Sequence, residues 1–325
     1  MTAGLTASEG KRVLLFGASG TIGRAVARAL LADGHVVTSF LRHERAADAE
    51  TGELVQAGVA CRFGEVTDPA SIMRDAFAGE PFDAVISCLA SRSGVPADAK
   101  AIDYQANFDI LKTAMANVVP HMVLLSAICV QKPRLAFQHA KLAFEKELQA
   151  SGVTWTIIRP TAFFKSLSGQ VDRVMRGKPF MLFGDGELTR CKPISDADLA
   201  RYIVSALSDP GKRDRILPIG GPGPAITPRE QGEMLFRLAG KEARFRHVSV
   251  ASMDRIIALL DSAARFSKRA SEKAEYARIG RYYATESMLV LNPATGEYDA
   301  EATPEFGEDT LEEHYRRLIL ERGDC

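Results

Sequence analysis

Short apolar runs alternate with longer amphipathic stretches through the first half of the chain. The apolar runs predict strands at residues 13–16, 35–41, 58–63, 82–87, 121–125 and 154–158. Helical spacing between them predicts helices over residues 24–31, 46–57, 69–77, 98–117 and 137–150. Strands without polar alternation are typical of a parallel sheet covered by helices on both faces. The pattern therefore predicts an α/β, Rossmann-type doubly wound parallel sheet, whose ligands bind beyond the carboxyl ends of the strands.

The last third of the chain has a weaker pattern. Apolar residues at helical spacing predict amphipathic helices at 203–207, 231–238 and 253–260. Ser195 is a predicted N-cap, because Asp196 and Asp198 follow it where acids favour the first helical turn. We expect a nucleotide-binding domain over residues 11–160 and a smaller substrate-binding region over residues 161–325, partly interleaved with the first.

A glycine-rich turn links the first predicted strand to the first predicted helix. It reads Gly17-Ala18-Ser19-Gly20-Thr21-Ile22-Gly23. Gly17 turns the chain, Gly20 lets a pyrophosphate approach the backbone, and Gly23 lets helix and strand pack closely. The helix N-terminus offers N–H groups and the positive end of its dipole to phosphates. This order predicts a dinucleotide site, with a tight turn that binds no ligand as the alternative.

The end of the second predicted strand bears on the choice between NAD and NADP. NAD-binding proteins usually place an acid there to bind the ribose 2′-hydroxyl, but this strand ends at Arg42. A guanidinium can bind a 2′-phosphate through two hydrogen bonds, whereas a carboxylate would repel it. We therefore expect NADP, with Arg24 and Arg45 as further phosphate ligands. Glu44 is the competing acid, and a merely solvated Arg42 is the alternative.

The G-x-x-G-x-x-G spacing resembles the short-chain dehydrogenase/reductase superfamily, particularly its extended and atypical members, over residues 11–217. The resemblance implies that Val66 passes the adenine ring, in a turn that reads Gly64-Glu65-Val66-Thr67-Asp68. It also implies that the backbone of Cys88, Leu89 and Ala90 runs beside the cofactor ribose and phosphates. Asp68 is a predicted cap for the helix that starts at Pro69. Cys88 has no basic neighbour in sequence, so we do not expect a reactive thiol.

The predicted catalytic region departs from that superfamily. Ordinary members carry a serine after the fifth strand and Tyr-x-x-x-Lys on the next helix. Ser126 and Lys141 are present here, but Phe137 occupies the tyrosine position and cannot exchange a proton. We therefore do not expect carbonyl reduction through a tyrosine proton relay. Two classes stay open, a cofactor-binding regulator without turnover and a reductase with a different proton donor.

Residues 125–133 and 137–145 resemble the divinyl chlorophyllide a 8-vinyl reductases of the NADPH-dependent, flavin-independent type. Further agreement lies at residues 157–167, 183–186 and 191–195, and the resemblance covers the whole chain. It implies reduction of the 8-vinyl group of a divinyl chlorophyllide or related Mg-porphyrin pigment to ethyl, in chlorophyll or bacteriochlorophyll biosynthesis. The alternatives are a redox-sensing NADP-binding regulator and a reductase of another conjugated molecule, such as a phenylpropanoid or a quinone.

Vinyl reduction would explain the missing tyrosine. Hydride added to the terminal vinyl carbon leaves negative charge that the macrocycle delocalises, so no alkoxide forms, although a proton must still arrive. Lys141 is the first candidate donor and His139 the second. The alternatives are that Lys141 only holds the cofactor ribose and that His139 is a surface residue, since positions two apart on a helix do not share a face.

The segment after the sixth predicted strand is expected to shape the pocket. The resemblance implies that Pro160, Thr161, Ala162 and Phe163 pack against the nicotinamide. A flat apolar slot for the macrocycle is a further hypothesis, with an ordinary hydrophobic core as its alternative. The residues proposed for that slot are Phe163, Phe164, Met175, Phe180, Met181 and Phe183.

Charge and cysteine content exclude several classes. The 325 residues include 41 Lys+Arg and 41 Asp+Glu, and this balance does not favour nucleic acid. Five cysteines without C-x-x-C spacing indicate reduced cytosolic thiols and no metal site. The N-terminus lacks the pattern of a secretory leader, and no apolar run is long enough to cross a bilayer. We therefore expect a cytoplasmic protein.

A cation-rich stretch at residues 265–281 admits two interpretations. It could meet a pigment propionate or an anionic membrane surface, or it could be a solvated helix face. Insoluble pigment partners favour a loose association with photosynthetic membranes. The sequence leaves the oligomeric state open.

Overall fold

Seven parallel strands form the central sheet of the computed structural model, which describes residues 10–323. The strands are β1 (Arg12–Phe16), β2 (Val36–Arg42), β3 (Ala60–Gly64), β4 (Ala84–Ser87), β5 (His121–Leu125), β6 (Thr154–Pro160), β7 (Phe180–Phe183), β8 (Arg215–Ile219), β9 (Phe245–Val248), β10 (Val290–Leu291) and β11 (Tyr298–Asp299). The sheet has the order β3-β2-β1-β4-β5-β6-β8, with every neighbouring pair parallel. The predicted Rossmann-type sheet is confirmed.

Helices connect the strands and cover the sheet. They are α1 (Thr21–Ala32), α2 (Ala49–Gln56), α3 (Pro69–Ser71), α4 (Pro96–Asp98), α5 (Asn107–Ala116), α6 (Ala136–Gln149), α7 (Phe164–Leu167), α8 (Val171–Met175), α9 (Asp196–Ser205), α10 (Pro228–Leu238), α11 (Val250–Ala264), α12 (Lys268–Thr285) and α13 (Leu311–Gly323). Two π-helical segments, Ile72–Phe77 and Ala99–Ala106, continue α3 and α4. Each predicted strand and helix has a counterpart, whereas β7, β8, α12 and α13 are among the elements that were not predicted.

Both predicted helix caps are confirmed. The Ser195 side chain accepts a hydrogen bond from the backbone N–H of Asp198 at 2.9 Å, at the start of α9. The Asp68 side chain accepts one from the backbone N–H of Ala70 at 3.0 Å, with Pro69 in the first turn of α3. A side-chain acceptor at these positions satisfies one of the N–H groups that a helix start leaves unpaired.

The hydrophobic core lies on both faces of the sheet. Successive strand residues point to opposite faces, so β1 sends Val13 and Leu15 to one side and Leu14 and Phe16 to the other. All four are fully buried, the first two with apolar residues of α1 and α9 and the last two with those of α5 and α6. This explains why β1 is apolar at every position after Arg12.

The part of the chain after residue 160 contributes to two cores. β8 completes the central sheet beside β6, and α9 packs against α1. A second core joins α8, α10, α13 and β7, and it contains the fully buried Tyr315 and Phe236. β7 pairs with β9 in a separate parallel ribbon. The division into domains at residue 160 stays a prediction, and the sheet itself draws on residues from both sides of it.

Both ends of the chain lie outside the described residues. This applies to the first nine residues, on which the expectation about a secretory leader rests, and to Cys325. Between residues 10 and 323, none of the helices combines the length and apolarity that a bilayer crossing requires. Cys61, Cys88, Cys129 and Cys191 are free thiols.

Candidate active site

The glycine turn has the geometry that a dinucleotide site needs. Gly17 has a φ of +90°, and a Cβ there would lie 2.8 Å from the carbonyl of Cys88. A Cβ at Gly23 would overlap the carbonyl oxygen of Gly17. α1 starts after Gly20, where no side chain caps the helix. Its first N–H groups are therefore available to an anion.

Cavity A, of about 470 Å³, opens beside this turn at the ends of β1, β2 and β4. Its lining includes these predicted cofactor ligands: Gly17, Ser19, Gly20, Arg42, Val66, Cys88, Leu89 and Ala90. Arg45 also lines it, and its buried Nε finds no hydrogen-bond partner within residues 10–323. A buried donor without a partner fits an anionic ligand.

The cations predicted for the 2′-phosphate occupy different positions. Arg42 lies at cavity A, where its guanidinium pairs with Glu44 at 2.8 Å. Arg24 instead pairs with Glu50 at 2.9 Å and is not part of the cavity lining. Arg42 and Arg45, rather than Arg24, therefore face the space where a 2′-phosphate would lie.

Cavity B, of about 670 Å³, continues from the glycine turn towards α6. These predicted site residues line it: Gly20, Thr21, Ile22, Gly23, Cys88, Leu89, Ala90, Ser126, Lys141 and Phe163. Lys141 is buried, and its Nζ lies 2.9 Å from Oδ1 of the buried Asp103. Phe137 lines the same cavity at the position where the superfamily has tyrosine. His139 is exposed and lies outside the linings of cavities A and B, as its surface interpretation requires.

Two carboxylate oxygens in cavity B lack partners. Oδ2 of Asp103 and Oδ1 of Asp196 are buried, and neither accepts a hydrogen bond from any described residue. Burial raises the pKa of Asp196. Acceptors of this kind fit the hydroxyl and amide donors of a nucleotide. Sequence reasoning missed Asp103 and treated Asp196 only as part of a helix start.

A buried polar network lies behind cavity B. Ser126 Oγ donates to Glu145 at 2.5 Å, and Arg159 forms an ion pair with the same carboxylate. Glu145 is almost completely buried. Ser126 is therefore held by α6 and β6 at the edge of the cavity. Cys88 is partly buried, and desolvation raises the pKa of its thiol to about 12, which agrees with the expectation of an unreactive cysteine.

Cavity C, of about 440 Å³, has a mostly apolar lining and adjoins cavity B. Pro160, Thr161, Ala162 and Phe163 line it, as the predicted pocket segment should. The remaining walls come from distant parts of the chain and include Ile128, Cys129, Arg190, Ile226, Tyr283 and Met288. Arg190 and Tyr283 were not predicted, since neither belongs to a recognisable motif.

The predicted apolar slot is divided between cavities and core. Phe163 lines both cavity B and cavity C. Phe180, Met181 and Phe183 line cavity D, of about 300 Å³, which adjoins cavity C. Phe164, Met175 and Phe180 pack within the second core, where Phe180 is 2% exposed. These three therefore behave as the ordinary core residues of the alternative interpretation, although Phe180 also borders cavity D.

The fold and the glycine turn define a Rossmann-type NAD(P)H-binding protein. The profile of the NAD(P)H-binding family matches residues 17–210. Two curated plant relatives are both named "Divinyl chlorophyllide a 8-vinyl-reductase, chloroplastic". The one from Oryza sativa subsp. indica is 50% identical over 95% of this chain and 78% of its own length. The one from Arabidopsis thaliana is 46% identical over 95% and 77%. This chain belongs to the divinyl chlorophyllide a 8-vinyl-reductase family.

Solved structures agree on the fold. An NADPH-dependent quinone oxidoreductase from Escherichia coli, QOR2, solved in complex with NADPH, superposes with a TM-score of 0.68. It is 18% identical and covers 94% of this chain and 99% of its own. At that identity, the likeness supports the arrangement of the sheet and its helices and carries no information on the substrate.

Proposed function

We propose that this protein uses NADPH to reduce the 8-vinyl group of divinyl chlorophyllide, or of the corresponding protochlorophyllide, to ethyl in chlorophyll or bacteriochlorophyll biosynthesis. The observation that carries the proposal is the junction of two unlike cavities. Cavity B contains the glycine turn and Lys141, cavity C is apolar, and four residues line both. A nucleotide in the first cavity would meet an apolar substrate at that junction. The named relatives supply the identity of the substrate.

The chain's own residues bind and orient both partners. Bound NADPH supplies the hydride. The N–H groups at the start of α1 hold the pyrophosphate, and Asp103 with Lys141 holds the nicotinamide ribose. The segment Thr161 to Phe163 positions the ring, and the apolar walls of cavity C exclude water from the pigment.

Lys141 is assigned to ribose binding because its ammonium group is already paired with the Asp103 carboxylate. His139 is not used, since it is exposed outside cavities A, B and C. The absence of a phenol at Phe137 is consistent with an alkene substrate, whose reduction creates no alkoxide.

The test is an assay with purified protein, divinyl chlorophyllide a and either NADPH or NADH. We expect a product heavier by two hydrogens, with a blue-shifted Soret band, formed preferentially with NADPH. NADPH binding without turnover of any pigment would instead indicate a regulator. Turnover of a quinone or phenylpropanoid with no change in the pigment would indicate that the protein is a reductase with a different substrate.

Arg42 is expected to select NADPH over NADH. Replacing Arg42 with alanine removes charged hydrogen bonds worth about 1.5–3 kcal/mol, so the Kd for NADPH should rise about 10- to 100-fold while that for NADH stays the same. Fluorescence titration with each nucleotide measures both constants. Arg28→Ala is the matched control, because Arg28 pairs with Glu53 at 3.0 Å and lines neither cavity A nor cavity B. An unchanged preference in Arg42→Ala would place the 2′-phosphate elsewhere, with Arg45 as the next variant.

A membrane contact of the protein is proposed at the tip of the α11–α12 hairpin. Phe266 is 92% exposed and Leu259 on α11 is 72% exposed. Cationic side chains flank this apolar tip, namely Arg265, Lys268 and Arg269. Arg278 and Arg281, farther along α12, are paired with acids of α11 instead. An exposed aromatic residue with cationic neighbours in the sequence is complementary to an anionic lipid surface. A cytoplasmic location likewise stays a prediction, and both reported relatives are named chloroplastic.

Vesicle co-sedimentation tests this contact. We expect binding to phosphatidylglycerol-containing vesicles but not to pure phosphatidylcholine. Phe266→Ser should weaken binding about 10- to 100-fold, because a buried aromatic contributes about 1.5–3 kcal/mol. Leu320→Ser is the matched control, since Leu320 on α13 is also an exposed apolar residue, at 69%. Equal binding to neutral vesicles, or self-association that Phe266→Ser abolishes, would contradict the proposal.

A further inference from the structure

The junction between cavities B and C is built from a small set of side chains. The residues that line both are Ala127, Phe163, Ser166 and Tyr283. If the proposed function is correct, hydride passes between nucleotide and pigment at this junction. The second hydrogen, a proton, must reach the neighbouring carbon of the same vinyl group. Of the four side chains, only Ser166 and Tyr283 carry an exchangeable proton.

Tyr283 is held at the junction by its neighbour on α12. Tyr282 is buried, and its hydroxyl donates to the backbone carbonyls of Cys129 at 2.8 Å and Lys132 at 3.1 Å. These hydrogen bonds fix α12 against the segment after β5. Tyr283 remains 44% accessible, and it lines cavities B, C and D. Its hydroxyl lies 3.9 Å from the Sγ of Cys129, within hydrogen-bonding distance for sulfur.

We propose that Tyr283 is the catalytic residue that donates the proton completing vinyl reduction, an inference that rests on the proposed function. Hydride forms a C–H bond at the terminal vinyl carbon, and the vinyl π electron pair moves to the adjacent carbon and the macrocycle. The O–H bond of Tyr283 then breaks as a C–H bond forms at that adjacent carbon. The phenolate regains a proton from water through cavity D. NADPH loses two electrons, and the vinyl group gains two electrons and two hydrogens.

The other groups nearby fit this role less well. Ser166 is an aliphatic alcohol and therefore a weaker acid than a phenol. Lys141 is paired with Asp103, and Cys129 lines cavity C but not cavity B. Desolvation raises the pKa of the Tyr283 phenol well above its ordinary value. The shift keeps the proton on the phenol at neutral pH but also makes it a weaker acid. The assignment of Tyr283 as the donor therefore rests on its position at the junction of cavities B and C. Tyr283 on α12 thus provides a phenol in this protein, whose α6 has Phe137 at the position where the superfamily has tyrosine.

The test compares Tyr283→Phe with the unaltered protein in binding and in a single turnover. NADPH affinity and pigment affinity, the latter from absorbance titration, should each change less than about twofold because the ring remains. The rate of vinyl loss should fall about 100-fold or more, the usual contribution of a positioned acid. The solvent deuterium isotope effect should also change, since another proton source takes over. Tyr276→Phe, an exposed tyrosine on the same helix, is the matched control.

One further variant separates the roles. Lys141→Met should weaken NADPH binding, which Tyr283→Phe should not. A wild-type rate and isotope effect in Tyr283→Phe would overturn the proposal while leaving the vinyl reductase intact. Weaker pigment binding in Tyr283→Phe with an unchanged rate of vinyl reduction would show that Tyr283 only lines the cavity. That result would also overturn the proposal. If the unaltered protein failed to reduce the pigment, the proposed function itself would fall, and this inference with it.

Discussion

Replacing Gly23 with alanine is expected to weaken NADPH binding about 10- to 100-fold, because a disturbance of about 1–3 kcal/mol falls directly on the pyrophosphate site. The new Cβ would overlap the Gly17 carbonyl oxygen and lie 2.6 Å from its carbonyl carbon and 2.8 Å from the Cα of Ala18. All three atoms belong to the backbone, so no side-chain rotation relieves the clash. Isothermal titration with NADPH measures the loss.

Gly52→Ala is the control for this substitution. Gly52 lies within α2, and a Cβ there would meet no atom within 4 Å. Alanine is the better helix former, so the free energy of unfolding should rise by up to about 1 kcal/mol and NADPH binding should not change. Unaltered NADPH affinity in Gly23→Ala would show that the turn is not where the pyrophosphate binds.

Replacing Arg159 with methionine is expected to lower the free energy of unfolding by about 3–5 kcal/mol, the usual result of removing one partner from a buried ion pair. The substitution would leave the Glu145 carboxylate, which is 1% exposed, with the Ser126 hydroxyl as its one hydrogen-bond donor among residues 10–323. Methionine keeps much of the apolar volume, so the effect is mainly that of the unpaired charge. Urea denaturation measures it.

An exposed ion pair gives the comparison. Arg237 lies 2.8 Å from Glu312, but the two side chains are 59% and 32% exposed, so Arg237→Met should cost less than about 1 kcal/mol. Similar small losses in both variants would mean that the Glu145 carboxylate reaches solvent or another donor when Arg159 is removed.

Local patterns predicted the first six strands because each contains neighbouring apolar residues, as at residues 13–16 of β1 and 122–125 of β5, even where a polar residue such as Arg62 of β3 interrupts them. The seventh strand of the sheet was missed for an identifiable reason. β8 reads Arg215-Ile216-Leu217-Pro218-Ile219, a short segment that starts with a cation and contains a proline. Proline cannot donate a hydrogen bond to a sheet, yet it is tolerated here because β8 is an edge strand, paired with β6 alone within the described part of the chain. That role depends on the tertiary arrangement and not on local sequence.

The candidate site likewise has a part that local sequence predicts and a part that depends on the tertiary structure. The glycine turn and the cations after β2 follow from spacing along a few residues, and the structure brings most of them to cavity A. Asp103 meets Lys141 only because the helical run after β4 packs against α6. Cavity C is assembled from segments near residues 128, 161, 190, 226 and 283. Contacts between such distant segments leave no periodic pattern in the sequence. The position of Tyr283 at the site could therefore be recognised only from the structure.

The position of β8 late in the sequence affects folding during synthesis. A ribosome releases the first six strands in order, but the outer edge of β6 has no neighbour until residues 215–219 have emerged. During that interval, the N–H and C=O groups of an apolar strand are open to pairing with other nascent chains. The yield of folded protein should therefore depend on chaperones that bind nascent chains, even though β6 is covered in the folded protein. A polypeptide that stops at Pro160 should aggregate.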